Sequence, residues 1–163
     1  MTKSSLTKKN FVIAPLHSED SIFLHQIHKN CFALAWTKQT FEIFLKDHSI
    51  FGYKAHLIGQ SHQILGFCLC RLILNEAEII TIAVHSNNRQ QKIGHFLIDH
   101  IFHHLRREHA TKLFLEVEET NLPALALYKR FKFQKIAKRP AYYQSHNGFT
   151  DAIIMQKTFK QID

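Results

Sequence analysis

A polar loop that leads into an apolar helix is the first place where chemistry could occur. The segment Arg89–Phe96 reads RQQKIGHF and opens a predicted helix. Free backbone N–H groups and the helix dipole make a helix N-terminus attractive to anions. Arg89 and Lys92 add positive charge there, and Gly94 permits a close approach of the backbone. The pattern is typical of a cradle for a pyrophosphate, but an ordinary loop with solvated charges has the same composition.

A second candidate is Glu116, which stands in the middle of an apolar strand. It lies between Leu115 and Val117, and Phe114 and Glu118 share its face. A carboxylate inside such a strand is costly unless it is paired or hydrated. The chemistry that suits this carboxylate is proton abstraction by a general base. The alternative is a solvated charge at a strand end, like that of Glu118, and the residue by itself favours that alternative.

The third candidate is Tyr128, on a helix that begins after Asn121. Leu127 and Phe131 flank it, and a tyrosine in such a position more often packs in the core or at its rim. Its phenol could also donate a proton to a departing thiolate. The sequence leaves both roles open.

The thirteen histidines do not form a metal-binding pattern. His100 and His104 stand four residues apart, as many metal-binding pairs do. No glutamate follows His100 as in HExxH, and no cysteine is nearby. We therefore expect no metal site, and we interpret these histidines as surface residues that gain charge under mild acidity.

The elements that must position these residues alternate along the chain. Seven strands are predicted, at residues 11–16, 51–58, 63–74, 77–84, 112–118, 133–143 and 152–159. Four helices are predicted: one capped by Ser18, one over 40–47, one after Gly94 with an apolar stripe from Leu97 to Leu105, and one capped by Asn121. Asn147-Gly148 predicts the last turn. The order β-α-α-β-β-β-α-β-α-β-β predicts an α/β fold, an α+β mixed sheet with one central strand–loop–helix crossover.

Composition indicates one globular domain. The 163 residues are 45% hydrophobic and 21% charged, which excludes disorder or a coiled coil as a description of the whole chain. We expect a flexible tail at 1–9 and a single domain over 10–163. The three cysteines and the polar first ten residues predict a reduced, cytoplasmic protein without a signal peptide. No apolar run approaches the roughly 20 residues that span a bilayer. The net charge of +8 suits phosphate or RNA partners, but many small proteins are basic without such a partner.

Several motifs taken together resemble the GNAT acetyltransferase superfamily, and within it the ribosomal-protein-alanine N-acetyltransferase type. They are ITIAV (80–84), RQQKIG (89–94), LEV (115–117), NLPALALY (121–128), YYQSHNGFTDAIIM (142–155) and the upstream fragment CFALAWTKQTF (31–41). The resemblance covers nearly all of the chain after residue 10. It implies the GNAT acyl-CoA N-acyltransferase fold and acetyl-CoA as co-substrate.

The resemblance also implies a role for particular residues. The backbone of Ile82, Ala83 and Val84 would bind the thioester arm of acetyl-CoA, and Asn121 would contact the coenzyme further along. Glu116 would be the general base and Tyr128 the general acid. The pyrophosphate would be held by the loop residues Arg89, Gln90, Gln91, Lys92, Ile93, Gly94 and His95. The acceptor peptide would be bound by Trp36, Tyr142 and Tyr143.

The chain departs from the family pattern at two glycine positions. Lys92 stands where RxxGxG usually has Gly. If that position needs the backbone room of Gly, Lys92 is expected to lower coenzyme affinity; if its φ is helical, Lys92 fits and its side chain could reach a phosphate. Lys132 replaces the Gly that usually ends the helix, and a left-handed conformation there would cost about 1 kcal/mol. Ser86, where Pro is common, is a smaller change.

The leading hypothesis is an enzyme that acetylates the N-terminal α-amine, on Ala or Ser, of a small-subunit ribosomal protein. An alternative keeps the chemistry and changes the acceptor to a lysine side chain or a small-molecule amine. A further alternative is a non-catalytic domain that binds RNA or the ribosome, which we rank last because the sequence has no interleaved aromatic and basic platform. The expected partners are acetyl-CoA and a ribosomal protein N-terminus, with no DNA and no membrane; RNA contact is allowed but not required.

Overall fold

A computed structural model describes residues 10–145 and 148–160, so the expected tail at 1–9 lies outside the described residues. The strands are β1 (Phe11–Pro15), β2 (Ile50–Leu57), β3 (Gln60–Ile73), β4 (Glu76–Val84), β5 (Lys112–Glu118), β6 (Gln134–Ser145) and β7 (Gly148–Thr158). The helices are α1 (Ser21–Cys31), α2 (Lys38–Lys46), α3 (Ile93–Arg107) and α4 (Leu122–Arg130). Short 3-10 turns occupy Ser18–Asp20 and Ser86–Asn88. The predicted order of strands and helices is confirmed.

The seven strands form one mixed sheet in the order β1-β2-β3-β4-β5-β7-β6. Among these strands, β4 and β5 pair in parallel, and each other neighbouring pair is antiparallel. The parallel pairing covers only the first three residues of each strand, up to Glu78 opposite Phe114. Beyond that point β4 and β5 are no longer paired, which leaves a gap in the sheet.

A bulge in β4 accompanies this divergence. Leu69 of β3 pairs with Thr81, but its neighbour Cys70 pairs with Ile79, so Ile80 is an extra residue in β4. A bulge bends its strand and increases the local twist. The bend lies just after the last residues of β4 that pair with β5, and it accounts for the separation of the two strands.

Helices cover both faces of the sheet. The apolar stripe of α3 is buried together with Leu113, Leu115 and Val117 of β5, and α4 adds Tyr128 to the same cluster. Helices α1 and α2 cover the other face, where Leu24 and Phe41 are buried. We call these the α3 face and the α1 face. Because side chains alternate along a strand, Glu116 points toward the α1 face.

Helix boundaries follow their caps, and one predicted cap is wrong. Ser18 does not cap α1; it begins a 3-10 turn, and α1 begins at Ser21. The turn forms because the buried carboxylate of Asp20 accepts a hydrogen bond from the His17 N–H (2.8 Å) and pairs with Lys54 (2.6 Å). The Thr37 side chain caps α2, which starts two residues earlier than predicted.

Other predicted boundaries lie closer to those of the structure. Asn121 caps α4 by accepting a hydrogen bond from the Ala124 N–H (3.2 Å), and β5 has its predicted bounds. The last strand begins at Gly148 rather than Ala152. The predicted turn residue Asn147 lies outside the described residues.

No helix in the described part of the chain is long and apolar enough to cross a membrane. Across residues 10–145 and 148–160, no group of three His, Cys, Asp or Glu side chains is arranged to hold a metal ion.

Candidate active site

Several of the predicted residues lie on the two strands that border the gap between β4 and β5. Ile82, Ala83 and Val84 pair with β3 on one side and lie beyond the residues that pair with β5 on the other. The backbone edge that faces the gap therefore has no strand partner. The Val84 carbonyl accepts a hydrogen bond from the Cys31 thiol (3.5 Å). An unpaired strand edge suits a ligand that carries amide groups, because the ligand can form hydrogen bonds with the free backbone N–H and C=O groups as a neighbouring strand would.

The loop after β4 has an unusual backbone. Gln90 and Lys92 both have left-handed conformations, with φ of 62° and 61°. The structure therefore does not give Lys92 the helical φ at which it would fit without strain; the left-handed conformation favours Gly and costs a non-Gly residue about 1 kcal/mol. Turns built with left-handed residues direct backbone N–H groups into concavities that bind anions. Lys92 is also the N-cap of α3 and makes no side-chain capping bond.

His95 lies at the start of α3 in this loop. Its ring contacts that of Phe131, with centroids 4.8 Å apart. Its Nδ1 atom is buried and has no hydrogen-bond partner among the described residues. A buried polar atom without a partner costs free energy, so a ligand or water that supplies the partner is favoured there. The loop and the gap thus fit a coenzyme with a diphosphate and an amide-bearing arm.

Gly94 joins this loop to the helix packing. A Cβ atom at this position would lie 3.1 Å from Cδ2 of Leu127, which is tighter than ordinary contact. Glycine therefore allows α3 and α4 to pack closely where the loop meets the sheet.

Glu116 is a partly exposed carboxylate with one cationic neighbour. Its side chain is 27% exposed, and its Oε1 atom lies 3.2 Å from Nη1 of Arg139 on β6. The Arg139 side chain is 52% exposed, and its guanidinium lies 5.3 Å from the centre of the Tyr142 ring. Sequence reasoning missed Arg139, because the contact depends on the pairing of distant strands.

Tyr128 has the opposite environment. It is 4% exposed and packs on Phe133, with ring centroids 5.6 Å apart. Burial raises the pKa of its phenol well above the usual range, and the nearby Cys68, Tyr143 and Cys70 add to the rise. The phenol therefore keeps its proton at neutral pH.

Tyr143 connects the two candidates. Burial raises the pKa of Tyr143 to about 12, and the negative charge of Glu116 contributes to the rise. Tyr143 in turn raises the pKa of Tyr128. Tyr143 pairs with Thr150 on β7, and the Thr150 hydroxyl donates a hydrogen bond to Glu118, which shares the face of Glu116. Glu116 points to the α1 face and Tyr128 packs on the α3 face, so the two side chains lie on opposite faces of the sheet.

A network of charges shapes β6 beside this region. Lys138 forms ion pairs with Glu119 and Asp151, both at 2.8 Å, and these bonds raise the pKa of Lys138 above its usual range. Asp151 also accepts a hydrogen bond from the Ala141 N–H (2.8 Å), where φ is 53°. The register shifts between Arg139 and Tyr143, so the intervening residues bulge from the sheet. This bulge positions Arg139, Tyr142 and Tyr143.

Trp36 lies in the loop between α1 and α2, and its backbone is held by two histidines. Its N–H donates to Nδ1 of His28 (3.2 Å), and its carbonyl bonds to Nδ1 of His25 (2.8 Å). Its ring stacks on His28 at 4.8 Å and contacts Phe41 at 5.5 Å. The half-buried ring thus packs against α1 and α2, and the loop has a defined shape.

Asn121 caps α4, and a separate cleft lies beside α1. The Asn121 side-chain oxygen is engaged in the α4 cap, which leaves its amide nitrogen for a ligand. A cleft of about 480 Å³ lies between α1 and the start of β3, next to His85 and Asn88. It does not include Glu116 or Tyr128.

Comparisons with known proteins agree with the fold and the motifs. A family model described as "Acetyltransferase (GNAT) family" matches residues 22–133. The [ribosomal protein bS18]-alanine N-acetyltransferase of Escherichia coli (strain K12) is 29% identical, with 88% of this chain and 94% of that protein aligned. The putative enzyme of the same name from Bacillus subtilis (strain 168) is also 29% identical, with 94% and 99% aligned.

Solved structures show the same architecture. The crystal structure of the ribosomal-protein-S18-alanine N-acetyltransferase from Escherichia coli superposes with a TM-score of 0.84 at 27% identity, covering 91% of this chain and 93% of that one. Arabidopsis thaliana NAA60 in complex with acetyl-CoA superposes with a TM-score of 0.80 at 20% identity, covering 91% and 98%. The second likeness concerns the fold alone.

Proposed function

The chain belongs to the acetyltransferase (GNAT) family, and from that premise we propose that it acetylates the N-terminal α-amine, on Ala or Ser, of a small-subunit ribosomal protein. The chain is an acetyl-CoA-dependent N-acetyltransferase. The acceptor and the residue roles are the proposed part. The observation that supports the acceptor most is the alignment, over nearly all of the chain, with two proteins named for the alanine of ribosomal protein bS18. The proposal takes residues 10–163 as one catalytic domain that acts in the cytoplasm.

The loop and the strand edge are the proposed coenzyme site. When bound, acetyl-CoA supplies an activated acetyl group and a thiolate leaving group. The unpaired edge of Ile82, Ala83 and Val84 offers donors and acceptors to the amide-bearing arm. The loop Arg89–His95 offers backbone N–H groups and two cations to the diphosphate, and the unpartnered Nδ1 of His95 offers one more polar contact. The free amide nitrogen of Asn121 is a further contact for the coenzyme.

Glu116 is the proposed general base. An α-amino group has a pKa near 7.7–8.0, so most of it is protonated at neutral pH and cannot attack a carbonyl carbon. The partly exposed carboxylate of Glu116 takes that proton, directly or through one water. Its exposure to the α1 face gives an acceptor peptide access without crossing the coenzyme loop.

Tyr128 is the proposed general acid. Burial keeps the proton on its phenol at neutral pH, so a donor is in place before the reaction. A thiolate that forms in the same desolvated region is itself disfavoured, and proton transfer from Tyr128 removes that charge. Tyr143 interacts electrostatically with both groups.

The proposed acceptor groove lies between the α1–α2 loop and the β6 bulge. Trp36 belongs to the first wall, and Tyr142 and Tyr143 belong to the second. The Tyr142 side chain is about half exposed, so it can contact a peptide. The two walls have fixed shapes because His25 and His28 hold one and the Lys138–Asp151 ion pair holds the other.

The carboxylates near the site bear on the alternative acceptors. Glu119 and Asp151 are paired with Lys138, and Glu118 accepts a hydrogen bond from Thr150 (2.6 Å). Such engaged carboxylates leave little negative charge for a polycationic amine. A lysine side chain or a small-molecule amine as acceptor is therefore the less favoured alternative.

A peptide panel tests the proposal. Each peptide carries one lysine and begins with Ala, Ser or Met, and a matched set has its α-amine blocked. We expect acetyl transfer from acetyl-CoA to Ala and Ser peptides, with the product located on the α-amine by fragmentation mass spectrometry. Transfer to the blocked peptides at an equal rate, or no transfer to any peptide by an enzyme that binds acetyl-CoA, would contradict it.

A further inference from the structure

Three cations gather where α3, α4 and β7 end, and we call Arg106, Lys132 and Lys157 the basic patch. The Arg106 guanidinium lies 5.8 Å from the centre of the Phe102 ring, and the Lys157 ammonium lies 5.9 Å from the centre of the same ring. Arg106 also lies 6.0 Å from the ring of Phe159. Lys132 follows the last turn of α4. One shared ring therefore keeps two of the charges close together on the α3 face.

No carboxylate forms an ion pair with the basic patch within the described ranges 10–145 and 148–160. None of the ion pairs there includes Arg106, Lys132 or Lys157. Burial lowers the pKa of Lys157, and the positive charges of Lys132 and Arg106 lower it further. The three charges thus repel one another in the free protein, and a bound polyanion would relieve that repulsion.

The sequence that surrounds Lys132 of the basic patch is also positively charged. From Thr120 to Thr150 the chain has six lysines and arginines and neither Asp nor Glu. These six are Lys129, Arg130, Lys132, Lys135, Lys138 and Arg139. Lys138 and Arg139 pair with carboxylates of the candidate active site, whereas the other four are exposed and enter no ion pair among the described residues. The positive surface therefore extends beyond the patch itself.

Helix dipoles do not account for this arrangement. Arg106 lies in the last turn of α3 and Lys132 just beyond α4, where the partial negative charge of a helix C-terminus favours a cation. Lys157, however, lies on β7 opposite Leu113 and belongs to neither helix. Three elements that are distant in sequence supply one charge each, so the convergence exceeds what each helix end explains.

We infer that the basic patch binds the phosphate backbone of RNA. Several cations without a carboxylate match a chain with one negative charge per nucleotide. The rings below them, Phe102 and Phe159, are only 5% and 6% exposed, so they are not available to stack on bases. The contact is therefore made to phosphates and is independent of base sequence.

The position of the basic patch is compatible with the enzyme's activity. The patch lies on the α3 face near the start of β5, whereas Glu116 points to the α1 face. RNA on the patch would leave the acceptor side of the sheet open. The inference goes beyond the proposed function and holds whichever amine the enzyme acetylates.

The test is fluorescence anisotropy of a labelled single-stranded RNA oligonucleotide titrated with the full-length protein over a range of KCl concentrations. The test variant is Arg106→Gln/Lys132→Gln/Lys157→Gln. The matched control, Lys29→Gln/Lys38→Gln/Lys46→Gln, removes the same charge from α1 and α2. A second control, Lys132→Arg/Lys157→Arg, keeps the charge of the patch. Thermal unfolding of each variant checks that it is folded.

We expect the test variant to bind RNA at least about 10-fold more weakly than the wild type at low salt. The slope of log Kd against log salt should fall by about 2, from roughly 0.7 for each of three lost charges. Both controls should bind as the wild type does, and acetylation of a free peptide should be unchanged in the test variant. An equal loss of affinity in the test variant and the α1/α2 control would overturn the inference, because it would show that RNA affinity depends on the net charge of the protein and not on the basic patch.

Two competing anions complete the test. Polyglutamate and vesicles with anionic lipids are titrated under the same conditions as mimics of an acidic protein and a membrane. Weaker binding of both than of RNA supports the inference. Binding of either one as tight as that of RNA, or no RNA binding at low salt, overturns it.

Discussion

Glu116 carries the main prediction at the scale of single residues. Glu116→Gln keeps the shape of the side chain and removes the carboxylate that we propose takes the proton. We expect kcat on an Ala-starting peptide to fall about 10²- to 10⁴-fold, with the Kd for acetyl-CoA unchanged. Tyr128→Phe should act in the same direction, because it removes only the phenol hydroxyl that we propose as the proton donor. The measurements are steady-state rates and coenzyme titration.

The matched control for this prediction is Glu118→Gln, two residues along the same face of β5. It should retain most of the activity, because Glu118 bonds to Thr150 and has no assigned proton transfer. If Glu116→Gln and Tyr128→Phe both keep the full rate, the assigned acid and base roles are wrong.

Arg139 is predicted to compete with the acceptor for Glu116. Its guanidinium forms an ion pair with the Glu116 carboxylate, and at neutral pH the α-ammonium group of the acceptor would pair with the same carboxylate. A half-exposed ion pair is worth at most about 1 kcal/mol, so Arg139→Gln should lower the acceptor KM by about 2- to 5-fold. Arg139→Lys, which keeps the charge, should resemble the wild type. A higher KM for Arg139→Gln would instead make Arg139 part of the acceptor site.

Residue types alone identified Glu116 and Tyr128 as candidates but could not identify Arg139. A carboxylate in an apolar strand is visible in a sequence. The contact of Arg139 depends on the bulge between Arg139 and Tyr143 and on the pairing of β6 with β7. Register and bulges are set by long-range pairing, which a single sequence does not specify.

At the scale of elements, the end of α4 tests a backbone prediction. Lys132 has φ of 61°, its N–H donates to the Lys129 carbonyl (2.9 Å), and the Phe133 N–H donates to the Tyr128 carbonyl (3.0 Å). This is a Schellman cap with a non-Gly residue at the left-handed position, so the strain foreseen for Lys132 is present. Lys132→Gly should raise the free energy of unfolding by about 1 kcal/mol.

The control for the cap is Lys132→Ala, which removes the same charge without freeing the backbone. Urea unfolding should show a higher midpoint for Lys132→Gly than for Lys132→Ala. Equal midpoints would mean that the gain comes from relief of charge repulsion in the basic patch rather than from the backbone.

The α1–α2 loop yields a pH prediction. His28 stacks between Phe32 and Trp36, at 4.3 and 4.8 Å. Burial, with a smaller effect of His25, lowers its pKa from 6.5 to about 4. Between these values the unfolded chain binds a proton that the folded protein does not, so stability falls as pH drops from 6.5 to 4. His28→Phe should flatten that part of the stability curve, although it loses the bond to Trp36 and some stability at pH 7.

Urea midpoints at several pH values between 4 and 7 measure this effect. His48 is an exposed histidine on the surface, and His48→Phe is the matched control. The same flattening in both variants, or none in His28→Phe, would contradict the role of His28.

Element boundaries could be predicted from the sequence where a side-chain cap or an apolar alternation determines them. The cap at Asn121 and the bounds of β5 follow from side-chain capping and apolar alternation, and both agree with the structure. The prediction that Ser18 caps α1 is wrong because the buried Asp20–Lys54 ion pair, a contact across 34 residues, determines where α1 begins. Tertiary contacts of this kind override a local cap preference.

At the scale of the whole molecule, the divergence of β4 and β5 is what makes a site. Motif resemblance assigned roles to residues of both strands, but the bulge at Ile80 and the three-residue parallel pairing appear only in the structure. In the proposed mechanism, Glu116 and Tyr128 act from opposite faces of one sheet. The basic patch lies at the other end of β5, so a candidate active site with paired carboxylates is separate from a surface whose cations have no ion pair among the described residues.

Intact-mass spectrometry of ribosomal proteins, purified from cells with and without this gene, tests the central claim most directly. We expect one small-subunit protein that begins with Ala or Ser to lose the mass of a single acetyl group when the gene is absent. The wild-type gene should restore that mass, and the Glu116→Gln gene should restore little of it. Identical masses for every ribosomal protein in the two cell types would contradict the claim that a ribosomal N-terminus is the acceptor.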